Sequence, residues 1–170
     1  MNKYISAICL AFTCFVSSGT NAAEPFDQHI MKVSEITAVA INWHVGDDHV
    51  LTLLVSSDGT INRMGDGRPV NTDRDLYIGR TPISVLPHIT SLLDDEMLKH
   101  TGKYELAPIQ GTACTLQILL WAGNQRDGFE FRYGSESGGL PREIPKFVTN
   151  AIYSTQQWYE HQQTQAGKRP

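Results

Sequence analysis

Apolar and polar residues alternate along several stretches of this chain, and elsewhere apolar residues recur every three or four positions. Val39, Ile41 and Trp43 share one face of a strand expected over 36–45, and Leu51, Leu53 and Val55 share one over 49–56. Gly46-Asp47-Asp48 supplies hairpin chemistry between them. Ser57-Asp58-Gly59-Thr60 forms a second turn into a short strand over 60–64, because an Asp-Gly pair tolerates positive φ. Residues 65–75 are polar and rich in structure breakers, which predicts a long exposed loop, followed by a brief extended piece at 76–79. Ile89, Leu92, Leu93 and Met97 mark one amphipathic helix over 87–99, with Pro87 in its first turn and Gly102 after its end.

Alternation returns with Cys114, Leu116, Ile118 and Leu120 over 112–121, then with Phe129, Phe131 and Tyr133, joined by a polar loop at 123–128. A glycine- and serine-rich link over 134–140 leads into a long helix over 141–163. Its apolar stripe is Ile144, Phe147, Val148, Ala151, Ile152, Thr155, Trp158 and Tyr159. The order β-β-β-α-β-β-α predicts an α+β domain: an antiparallel sheet of about five strands with two helices on one face. It spans 24–165 as a single unit, with a disordered tail at 166–170.

The first 23 residues do not belong to this pattern. Lys3, an apolar run from Ile5 to Val16 and the small residues up to Ala23 have the order of a signal peptide cut after Ala23, or after Ala22. The run is about a dozen residues long, short of the ~18 that a membrane span needs, so the mature chain is expected in the periplasm or the medium with no stable membrane anchor. The absence of an Asn-x-Ser/Thr sequon favours a bacterial origin. The full chain carries a formal charge of −4, and losing Lys3 makes it one unit more acidic, which argues against nucleic-acid partners. Cys9 and Cys14 leave with the signal. Cys114 remains alone on an apolar strand face, expected as a buried thiol that cannot close an internal disulfide.

Candidate chemistry is sparse. His44 and His49 flank the first turn beside Asp47 and Asp48, two imidazoles and carboxylates that could hold zinc, but no further ligand is signposted and no metal is assigned. Asp66, Asp73 and Asp75 lack the order of a calcium loop and stand among Arg68 and Arg74. Gly134-Ser135-Glu136-Ser137-Gly138-Gly139 matches neither a nucleophile elbow nor a phosphate loop, although the helix start beside Arg142 would suit an anion. No cofactor is expected.

The contrast between patterned elements and two polar loops predicts a binding or inhibitory protein that neutralises a protein partner. Its contact residues would be Asp66, Arg68, Asp73, Arg74 and Asp75 on one loop, and Ser135, Glu136, Ser137 and Arg142 on the other. A small hydrolase using His44 or His49 with Asp47, or Glu136 with His88, is the alternative. A carrier of a small apolar ligand is a third reading.

Overall fold

The computed structural model describes residues 31–69, 75–137 and 139–167. The expected signal peptide therefore lies outside the described residues, as do Asp73, Arg74 and the last three residues of the tail.

The domain is α+β, and its sheet is larger and more mixed than the pattern predicts. Strands β1 (Ala38–Val45), β2 (Asp48–Ser56), β3 (Thr60–Gly65), β4 (Tyr77–Arg80), β5 (Gly102–Glu105), β6 (Ala113–Ala122) and β7 (Gln125–Gly134) lie in the order β4-β3-β2-β1-β6-β7-β5. Helices α1 (Val85–Thr90), α2 (Asp95–Leu98) and α3 (Glu143–Gln165) supply the other layer. Inward residues Ile41, Leu51, Leu53, Ile61, Leu116, Ile118 and Phe131 form one apolar cluster with Leu86 and Ile89 of α1 and with Ile144 and Phe147 of α3.

Three expectations need correction. The sheet is not wholly antiparallel, because β5 pairs in parallel with β7, Tyr104 beside Phe131. Antiparallel pairing leaves β4 ending at the edge of the sheet opposite the ends of β1, β3 and β7. The α1–α2 segment then carries the chain across the helical layer, and it enters β5 running in the direction β7 already has. The single helix over 87–99 is two, since Asp94 turns extended and its carboxylate accepts the Met97 amide at 2.7 Å, capping a new helix. Leu92 is consequently exposed. The loop at 123–128 is only a two-residue turn: Ala122 pairs with Gln125, and Gly123 takes φ 58°, a left-handed position that glycine occupies without steric cost.

The long helix agrees with its stripe. Ile144, Phe147, Val148, Ala151, Thr155 and Tyr159 are buried, Ile152 and Trp158 half-buried, and Lys146 and Gln157 exposed. No helix among the described residues is long and apolar enough to cross a membrane.

Cys114 is buried and its sulfur lies 3.5 Å from the Thr112 carbonyl oxygen. Burial pushes its thiol above the ordinary value, and the neighbouring Tyr133 hydroxyl offsets part of that. Burial likewise pushes Tyr133 up to about 12. The thiolate is the reactive species, so native Cys114 should label with a thiol reagent roughly tenfold or more slowly than in denaturant. Equal rates would show that this strand face is open.

Candidate functional site

Antiparallel pairing gathers the polar loops at one end of the sheet. The β1–β2 turn, the end of β3, the start of β6 and the end of β7 all lie there, because Val45 pairs with both Asp48 and Cys114, Leu51 with Gly65, and Ala113 with Gly134. β5 ends there as well, with Glu105 beside Arg132. The chain from Leu106 to Thr112 must then pass over the end of β7 to reach β6. It forms an arch that the sequence pattern did not reveal.

Two serine hydroxyls fix this arch. Ser137 Oγ accepts the backbone amides of Gln110 and Gly134, each at 3.1 Å, and donates to the Pro108 carbonyl oxygen at 2.8 Å. Two acceptor sites and one donor exhaust what a hydroxyl offers. Ser135 Oγ accepts the Thr112 amide at 3.0 Å. Backbone bonds from Ser135 to Thr112 and from Glu136 to Gln110 complete the join. Gly134 permits the close approach, since a Cβ there would stand 2.0 Å from the Gln110 carbonyl oxygen. The outer surface of the arch presents Pro108, Gln110 and Ile109, whose apolar side chain is 46% exposed.

The candidate contact residues therefore divide by role. Ser135 and Ser137 spend their hydroxyls inside the latch, while Glu136 is exposed beside it and Arg142 is exposed at the start of α3. On the far side, Asp66 holds Arg68: Oδ1 accepts the Arg68 amide at 3.0 Å, and Oδ2 accepts Nε at 2.8 Å. That pairing raises the Arg68 pKa, and the arginine side chain still projects largely into solvent. Asp75 is exposed. The two loops leave the sheet at β3 and β7, four strand spacings apart, about 19 Å. They flank the Gly46-Asp47 turn.

His44 and His49 face each other across the first hairpin, with rings stacked at 4.1 Å and 13° between planes. His49 Nε2 lies 2.8 Å from Thr52 Oγ1. Stacked rings present their nitrogens side by side instead of converging them, and no group of three metal-ligating side chains occurs among the described residues. Glu136 and His88 occupy separate places. Glu136 packs at the arch near Gly111, and His88 lines a groove between α1 and α3 with Tyr153 and Glu160.

One polar feature escaped sequence reasoning entirely. Arg63 is fully buried, at the inward position two residues after Ile61. Its guanidinium donates to the carbonyl oxygens of Gly65 (3.2 Å) and Ile152 (2.9 Å), to Thr155 Oγ1 (2.8 Å) and to Gln156 Oε1 (2.7 Å), and it lies 4.4 Å from the centre of the Tyr159 ring. Burial lowers its pKa to about 10, so it remains charged at neutral pH. The signal available in the sequence was an arginine on the apolar side of an alternating strand.

Compared with known proteins, the chain matches no family model and no curated protein.

Proposed function

We propose that this protein is an exported binding module, acting in the periplasm or the medium, that engages and neutralises a protein partner through the loop-bearing end of its sheet. The observation that supports this reading is the serine-latched arch, which holds an exposed Ile109 in place with Gln110 and Glu136 around it. An apolar anchor with a polar rim is the usual anatomy of a recognition patch. Fixing the loop beforehand reduces the entropy lost on association, which is where affinity is commonly lost. Arg142 would extend the contact on one side of the arch. Asp66, Arg68 and Asp75, with Asp73 and Arg74 of the same loop, would form a charged flank on the other.

The test is affinity capture from periplasmic extract with three baits: the wild-type mature chain, Ile109→Asp and Ile78→Asp. Ile78 is also exposed and apolar but sits on edge strand β4. The wild type and Ile78→Asp should retain the same stoichiometric protein, and Ile109→Asp should lose it at unchanged melting temperature. Retention by Ile109→Asp, or no stoichiometric partner for any bait, would contradict the proposal.

A further inference from the structure

The arch that carries Ile109 is neutral along its own length, since Leu106 to Thr112 contains no charged residue. Carboxylates reach it from three separate elements. Glu105 ends β5 and leads directly into the arch, whose first amide, that of Leu106, donates to the Arg132 carbonyl oxygen at 2.8 Å. Glu136 meets the far limb: its amide donates to the Gln110 carbonyl oxygen at 3.0 Å, and a Cβ on Gly111 would stand 2.9 Å from Glu136 Cγ. Asp47 lies in the β1–β2 turn, where the Gly46 amide donates to the Ala113 carbonyl oxygen at 2.7 Å and a Cβ on Gly46 would stand 3.2 Å from the Thr112 methyl. All three residues are exposed, and none forms an ion pair among the described residues. The exposed arginines described at this end are engaged, Arg68 by Asp66 and Arg132, beside Glu105 in the register, by Glu130 at 3.6 Å.

We infer that the partner taken by the arch is a basic protein, which seats Ile109 in an apolar hollow and meets Asp47, Glu105 and Glu136 with lysines or arginines around it. This rests on the reading of the arch as the recognition surface and names the chemistry of what it recognises. A rim of one sign attracts its opposite before contact and repels its like, so rim charges act chiefly on association rate and on choice of partner. The apolar anchor at the centre acts chiefly on dissociation. The chain's formal charge of −4 adds to the same field. An acidic partner would set its own carboxylates against three others at the rim, which is how an interface rejects the wrong protein.

A triple variant, Asp47→Asn with Glu105→Gln and Glu136→Gln, removes the charges at nearly constant shape, and its amide spectrum and melting temperature report that the fold is kept. The first probe is the hexapeptide Lys-Lys-Leu-Leu-Lys-Lys, titrated into the isotope-labelled mature chain. It should shift the amides of residues 46–48, 105–112 and 136. Three rim charges at about two- to fivefold each should make it bind the wild type about tenfold or more tightly than the triple variant. The counterpart Glu-Glu-Leu-Leu-Glu-Glu should bind neither. The second probe is the protein retained by the wild-type bait, which should be basic. Its association rate should fall steeply as salt is raised from about 50 to 300 mM and hardly change with the triple variant, while its dissociation rate stays within about twofold. Peptide shifts that map elsewhere, equal binding of wild type and triple variant, or retention of an acidic protein would each overturn this inference and leave the arch reading standing. Baits that retain nothing contradict the arch reading itself, and the inference falls with it.

Discussion

Replacing Phe147 with alanine is expected to destabilise the domain by about 3–5 kcal/mol, the usual cost of removing a large buried aromatic side chain. Phe147 is fully buried on the inner face of α3, within the cluster that joins the helices to the sheet. A helix of 23 residues has little stability in water unless such a face is covered. Against a total of roughly 5–15 kcal/mol, the loss should be visible as a large fall in both the melting temperature and the denaturation midpoint. Lys146→Ala and Gln157→Ala, on the exposed face, should stay within about 0.5 kcal/mol of the wild type. Were α3 instead an arm that docks into a partner's groove, Phe147→Ala would leave the melting temperature unchanged.

The second large effect is expected at Arg63. Its guanidinium has no carboxylate within ion-pair distance among the described residues, and its hydrogen bonds go to neutral acceptors. Arg63→Ala removes these donors at once, and each acceptor left dry costs about 1–3 kcal/mol. Relief from burying a cation offsets part of that, leaving a net loss of roughly 2–5 kcal/mol. Arg63→Met keeps much of the volume without the charge and should lose less. Arg63→Lys should do no better than methionine, because a compact, strongly hydrated ammonium cannot reproduce the planar fork. A lysine variant as stable as the wild type would contradict this account of the cluster. The pH dependence has a definite sign. With a folded pKa near 10, below the ordinary guanidinium value, Arg63 is charged in both states at neutral pH and contributes no slope there. Its charge opposes folding below pH 10, and that penalty is relieved as pH rises above about 10 towards the ordinary guanidinium value.

These two residues mark where sequence reasoning succeeds and where it stops. Phe147 could be placed because the stripe from Ile144 to Tyr159 repeats over many turns, and the long strands could be placed because Leu51, Leu53 and Val55, or Leu116, Ile118 and Leu120, alternate without interruption. Arg63 breaks its alternation, and only the fold shows that α3 brings Ile152, Thr155 and Gln156 to meet it. β5 is four residues long and paired on one side only, so its burial pattern carries almost no period. The arch was invisible for a different reason. Ser137 and Pro108 are 29 positions apart, and nothing local in either segment announces the bond between them. The polar link after β7 was legible, whereas its division into latch residues and exposed residues was not.

Amide hydrogen exchange at the arch tests the central claim, that the loop-bearing end is a fixed recognition surface. In the wild-type chain the amides of Gln110 and Gly134, both donating to Ser137 Oγ, should exchange well below the unprotected rate. Ser137→Ala should release both while amides in the centre of the sheet, such as Ile41 and Ile118, keep their protection. Wild-type exchange of Gln110 at the unprotected rate would mean that the arch is not held, and a binding surface built on it could not stand.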